Sequence, residues 1–285
     1  MAIGPDTTPA QALELVNFTE ALRADAERLL KEGRVKLVIG YRSKGAARPP
    51  VFISDPAKTS ALVFDELCAK NLASYLHKPE LRKKFPIAVV APPAVCRSLI
   101  LLAAEAQLGA NDVVVFACGP REYHGALDLA GTSKLLKEKY PDLAPAKELL
   151  EAVAELDKMT AEERARFWSA QFLKCTRCYA CRSACPACYC KRCIVEKNVP
   201  QWISAMADGH GNYAWNIIRA FHLAGRCTLC GSCEAACPQG IPLMLFNAKV
   251  DSIVLEEFKA KAGYDTAEKP FIGSWSPDDD NKFIK

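Results

Sequence analysis

The sequence predicts a two-part molecule: an α/β domain with a mostly parallel sheet over residues 1–165, then a cysteine-rich module over 166–245. A C-terminal helix and polar tail over 246–285 close the chain. Three observations carry this. Short apolar runs alternate with helical periods up to about residue 165, the pattern of strands joined by crossover helices. Eleven of the fourteen cysteines fall between Cys175 and Cys237. After Pro238, IPLMLFNAKVDSIVLEEFKAKAG reads as one amphipathic helix, and SWSPDDDNKFIK as an extended polar tail.

In chain order, residues 8–31 carry apolar positions at helical spacing, and Gly33 follows as a stop. Residues 35–39 (VKLVI) and 51–54 are short strand candidates on either side of the loop SKGAARPP. A helical pattern covers 61–76, a strand 87–90, an apolar helix 95–108 and another strand 113–117. Thr160-Ala-Glu-Glu163 is a capping-box pattern that opens a helix running into Cys175.

A chain of 285 residues with 50% hydrophobic content has room for two modest cores. A net charge of +4, from 37 basic and 33 acidic residues, is too balanced for a nucleic-acid binder or a polybasic membrane anchor. The N-terminus shows no basic-then-apolar leader, and nowhere do about 18 apolar residues run uninterrupted. A soluble, cytoplasmic protein with no direct membrane insertion is therefore expected. In such a reducing compartment, clustered cysteines point to metal rather than to disulfides. The chain has no Gly-x-Gly-x-x-Gly, P-loop or Gly-x-Ser-x-Gly motif, so a Rossmann cofactor or a nucleoside triphosphate is unsupported.

The cysteines repeat. Cys175, Cys178, Cys181, Cys185 and Pro186 recur as Cys227, Cys230, Cys233, Cys237 and Pro238, all at an offset of 52. Three thiolates at these gaps can wrap one [4Fe–4S] cubane, and the fourth, after three intervening residues, then points elsewhere. Structural zinc built from the Cys-x2-Cys pairs is the rival, but zinc needs neither the third cysteine at the same interval nor the closing Cys-Pro. Lys174, Arg177, Arg182, Lys191, Arg192 and Arg226 lie in or beside the runs; at least half are expected to be solvated, and a minority to raise cluster potential or meet an acidic partner. Trp168, Trp202 and Trp215 are expected to shield the module from water, Cys68 to be an ordinary buried thiol, and His124 a solvated loop residue.

This pattern resembles the bacterial-type two-cluster ferredoxins. The resemblance implies an α+β dicluster fold and crossed ligation: one [4Fe–4S] cluster on Cys175, Cys178, Cys181 and Cys237, the other on Cys227, Cys230, Cys233 and Cys185. Upstream, the strand-turn Phe85-Pro-Ile-Ala-Val-Val-Ala-Pro-Pro-Ala-Val-Cys96, an apolar helix, and Val113-Val-Val-Phe-Ala-Cys118-Gly-Pro120 are similar to the beta-subunit family of deazaflavin-reducing hydrogenases and formate dehydrogenases. That similarity implies an α/β domain holding FAD and exchanging electrons between a cluster and a two-electron carrier. The turn here lacks the family's glycine and displaces its cysteine. Cys237-Pro-Gln-Gly-Ile-Pro242 also resembles iron–sulfur subunits of heterodisulfide-reductase-like complexes.

Between the runs lies an insert, Ala187-Cys188-Tyr-Cys190-Lys-Arg-Cys193, whose three cysteines suggest a third metal site short of one ligand, or else a set of free thiols. Cys96 and Cys118 follow predicted strands, where parallel sheets place ligands, and either is expected to supply that ligand to a third [4Fe–4S] cluster. The expected function is electron relay through two or three clusters, within a complex whose other redox subunits are the partners. The alternative is a flavin-dependent catalytic subunit.

Overall fold

The structure, a computed structural model, describes residues 9–120, 122–143 and 145–268, the side chains of residues 9–17 excepted. The tail expected at 274–285 lies outside the described residues.

The chain opens with α1 (Pro9–Lys31), which ends at Gly33 with φ +67° and buries Phe18, Leu22, Ala26 and Leu29 on one face. Strands β1 (Leu37–Tyr41) and β2 (Pro50–Ile53) pair antiparallel around the Arg42–Pro49 loop. The helix expected at 61–76 does not form. Two 3₁₀ turns, Pro56–Ala61 and Leu72–His77, stand at its ends, followed by the short α2 (Pro79–Arg82). The physical reason is local competition for backbone donors: Asp65 accepts from the Leu67 amide, Asn71 caps the Ala73 amide, and Val63 bridges to Tyr41.

Then come β3 (Ile87–Ala91), α3 (Pro93–Ala104), β4 (Val113–Cys118), β5 (Tyr123–Leu127) and α4 (Leu129–Lys139). The sheet order is β2-β1-β3-β4-β5, with β1, β3 and β4 parallel and both outer strands antiparallel. The parallel centre matches the expectation from continuous apolar runs, since β1 and β3 are buried along their whole length. Strand β5 escaped the sequence reading because it is half-buried throughout and interrupted by Gly125 at φ +93°.

The second half is α5 (Lys147–Lys158), α6 (Ala161–Leu173), α7 (Ala180–Ala184), α8 (Gly209–His222), α9 (Ser232–Ala235) and α10 (Leu243–Phe258). The Thr160–Glu163 capping box is formed in both directions. Among the described residues this half contains no strand, so the α+β expectation is corrected: the cysteine runs are framed by helices. Helices α5, α6 and α10, with Ile241 ahead of α10, share a core of Leu156, Trp168, Phe172, Ile241, Leu243 and Met244. That core places α5 with the cysteine module rather than with the sheet, ahead of the boundary expected at 165. Past α10 the chain returns to the sheet domain. Arg97 donates to the Ala262 carbonyl, and Gly263, at φ +80°, lies so close to the Arg97 backbone that no side chain fits. Among the described residues no helix is long and apolar enough to cross a membrane.

Candidate metal centre

The offset of 52 residues is a repeat of conformation as well as of sequence. Arg177 (φ 56°) and Tyr179 (φ 58°) adopt the left-handed backbone, as do Leu229 (φ 52°) and Gly231 (φ 75°) at the equivalent places. The left-handed residues fold the run tightly enough for the Arg177 amide to meet the Cys175 sulfur at 3.4 Å. Each run then enters a short helix, α7 or α9. The fourth cysteine lies at or just past the end of each helix, its amide held by the carbonyl three residues back: Arg182 for Cys185, Glu234 for Cys237. Helices α7 and α9 pack against each other.

The cysteines line two separate cavities. Cys175, Cys178, Cys181 and Cys237 surround one, with Arg177, Trp215 and Ile241 in its wall. Cys185, Cys227, Cys230 and Cys233 surround the other, with Thr228, Met244 and, from the sheet domain, Leu101. Each cavity therefore takes three cysteines from one run and the fourth from the other. Among the described residues no three Cys, His, Asp or Glu side chains converge on a point fit for a single ion, as zinc would need.

Electrostatics suits a cofactor with negative charge and sulfur acceptors. Buried donors without a protein partner face the cavities: Nε and Nη1 of Arg177, Nε1 of Trp215 and Nε of Arg219. Both guanidiniums lie over the Trp215 ring, at 5.8 and 5.9 Å. Burial works against the Arg219 charge, yet Cys188, Cys185, Cys181 and Cys233 around it hold its pKa above the ordinary value. Burial raises the thiols in turn, Cys181 to about 11, with Cys227 and Cys233 also pushed up. Such thiols ionise when a metal takes the place of the proton. Asn247 donates to the Cys233 sulfur at 3.6 Å and Asn212 to the Cys175 carbonyl at 2.7 Å. These residues fit [4Fe–4S] groups.

Sequence reasoning missed Arg219, Asn212 and Asn247. A signal existed in α8, where Asn212, Asn216 and Arg219 share one face with Trp215 at helical spacing and all four are buried. Of the six basic residues flagged, Lys174, Lys191 and Arg192 are exposed, whereas Arg177 is buried, Arg182 pairs with Glu196 at 2.8 Å and Arg226 pairs with Glu105. Trp168 and Trp215 are buried beside the cavities, but Trp202 is 66% exposed and shields nothing. His124 is not solvated: it bonds the Tyr140 hydroxyl at 2.8 Å with its side chain 6% exposed. Cys68 is buried, with the Asp65 amide donating to its sulfur.

Cys188, Cys190 and Cys193 come together around a third cavity of about 420 Å³. The ligand expected from the sheet domain is not there. Cys96 and Cys118 sit in the sheet core, their thiols turned to the Ala91 and Phe116 carbonyls, with burial pushing Cys96 up to about 12 and Cys118 well upward. The reason is the direction of their side chains: both continue the apolar face between sheet and α3, so neither lines any of the three cavities.

Two domains meet at the second cavity. The Asn71 side chain donates to the Ser98 hydroxyl, which bonds Thr228, while the Asn71 amide donates to Ser232. His77 Nε2 donates to the Pro186 carbonyl at 2.5 Å. Buried polar groups satisfied in this way fix the mutual register of the parts they join.

Residues 171–241 match the 4Fe-4S dicluster domain family. The chain is 32% identical over 105 residues to the F420-dependent formate dehydrogenase subunit beta of Methanocaldococcus jannaschii, covering 37% of this chain and 27% of that protein. It is 30% identical over 145 residues to the F420-dependent formate dehydrogenase 1 subunit beta of Methanococcus maripaludis, covering 51% of this chain and 31% of that protein. The matched stretches thus span less than a third of either relative. Residues 171–241 are a 4Fe-4S dicluster domain, in a chain homologous over part of its length to beta subunits of F420-dependent formate dehydrogenases.

Proposed function

We propose that this chain is an electron-transfer subunit of a multi-subunit cytoplasmic oxidoreductase of the formate dehydrogenase type, carrying two [4Fe–4S] clusters with crossed ligation. The observation behind it is the sorting of eight cysteines into two adjacent cavities, three from one run and one from the other in each. A [4Fe–4S] cluster supplies one-electron storage. The residues of the chain do the rest. Ile241, Leu243, Met244 and Leu101 keep water from the cavities, and Arg177, Trp215 and Asn247 offer N–H donors to sulfur. Such donors and buried positive charge raise a cluster's potential, so the pair is tuned by the arginines between them. The partners are other redox subunits, as in the complexes to which the relatives' names refer.

The test is electron paramagnetic resonance of anaerobically purified Cys185→Ser and Cys237→Ser proteins. Cys185→Ser should damage the site of Cys227, Cys230 and Cys233, and Cys237→Ser the site of Cys175, Cys178 and Cys181. Damage within each cysteine's own run would overturn the crossed arrangement. Structured flavin bands in the visible spectrum would move the assignment to a carrier-reducing catalytic subunit.

A further inference from the structure

We propose that the insert holds a third [4Fe–4S] cluster, ligated by Cys188, Cys190, Cys193 and His222, in the cavity between the insert and α8. The cavity, about 420 Å³, is separate from the two dicluster cavities but shares walls with both: Trp215 with the first, and Ala187, Leu223 and Arg226 with the second. Three cysteines on one side of such a space leave one ligand wanting.

The lining offers three candidates, and two are committed elsewhere. Glu105 is held by both arms of the Arg226 guanidinium. Tyr189 lies under the Arg226 guanidinium at 5.4 Å and is a phenol in a site otherwise built from soft ligands. His222 remains. It stands on the α8 face of Trp215 and Arg219, one turn past Arg219, and lines the cavity as an exposed residue whose ring makes no hydrogen bond among the described residues. Imidazole is an accepted iron ligand in clusters otherwise bound by thiolate.

The charge around the cavity calls for an anion. Arg182 and Arg226 are balanced by Glu196 and Glu105, whereas Arg219, 5% exposed, meets no carboxylate among the described residues and leaves its Nε unpaired. A buried cation is costly unless paired, and three thiolates on a cubane supply the pair. With a neutral imidazole in place of a fourth thiolate, the site carries one negative charge fewer than a four-cysteine site. It therefore lies at a higher potential than an all-thiolate site in the same surroundings. The Cys188 amide bonds the Cys185 carbonyl at 3.2 Å, so the third site abuts the second and extends the pair into a row of three.

The test uses the full chain reconstituted anaerobically with ferrous iron and sulfide. About twelve irons per chain are expected, against about eight for two cubanes. Cys190→Ser, at an exposed position, should lower the count to about eight while sparing the two dicluster signals. Pulsed electron paramagnetic resonance of the reduced protein should show strong coupling to one directly bound nitrogen, lost in His222→Ala. A count near eight that Cys190→Ser leaves unchanged overturns the third cluster. Twelve irons without nitrogen coupling overturns the assignment of His222. Failure of the dicluster reading would register separately, as loss of the signals that Cys185→Ser and Cys237→Ser are expected to remove.

Discussion

Replacing Arg226 by Met should cost this protein about 3–5 kcal/mol, the range for leaving one partner of a buried ion pair without its counter-charge. The setting justifies the upper class of effect rather than the fraction of a kcal/mol typical of surface pairs. The Glu105 side chain is 4% exposed and that of Arg226 17%. Both arms of the guanidinium engage the carboxylate, and the same group also donates to the His222 carbonyl at 3.0 Å. Glu105 follows α3 of the sheet domain, and Arg226 immediately precedes Cys227, so the pair joins sheet to cluster wall. Removing both charges, in Arg226→Met with Glu105→Leu, takes away the stranded carboxylate and should restore most of the loss. Urea unfolding of the four proteins under anaerobic conditions completes a double-mutant cycle. Each single variant should be less stable than the double. Additivity within about 0.5 kcal/mol would mean the two side chains do not interact, and the argument from burial would fail.

Two further outcomes follow from the interface. Burial, the largest influence on His77, holds its pKa below the ordinary 6.5, and its Nδ1 is buried without a partner. The unfolded chain therefore binds a proton at this site before the folded one does, and stability should fall as pH is lowered through 6.5 towards the folded-state pKa. Between pH 7 and 5, His77→Gln should lose stability less steeply than the parent; an equal slope would remove His77 from the account. Gly263→Ala places a Cβ against the Arg97 backbone at φ +80°, and strain of this kind costs about 1–3 kcal/mol. Limited proteolysis should release the segment after α10 faster in this variant, and an unchanged rate would show that the contact is not tight in solution.

The parts legible in the sequence were those decided by local chemistry. Continuous apolar runs at 87–90 and 113–117 gave buried parallel strands, and Thr160 with Glu163 gave a helix start, because each signal lies within a few residues of its effect. The repeated cysteine spacing drew attention to the eight thiols that line two cavities. What failed depended on distant partners. The spacing Cys-x2-Cys-x2-Cys-x3-Cys-Pro describes how a run turns on itself and is silent on whether strands or helices frame it, so α6 and α10 were foreseen from their own local signals but α8 between the runs was not. Cys96 and Cys118 were placed at the ends of strands, but which face their side chains take depends on α3 covering the sheet. The polar face of α8 carries meaning only once the cavities beside it are known.

Leu101 is a residue of α3, yet it closes the cavity lined by Cys185, Cys227, Cys230 and Cys233, and among the described residues nothing comparable from the sheet domain touches the cavity of Cys175. The two sites thus differ in ownership. One is enclosed entirely by residues of the helical half and could travel with it through gene fusion to any neighbour. The other is roofed by this particular sheet, and the Asn71–Ser98–Thr228 bonds hold that roof in place. Domain shuffling that moved the helical half alone would carry one sheltered site and one open to water. The sheet domain is in this sense half of a container for the second site.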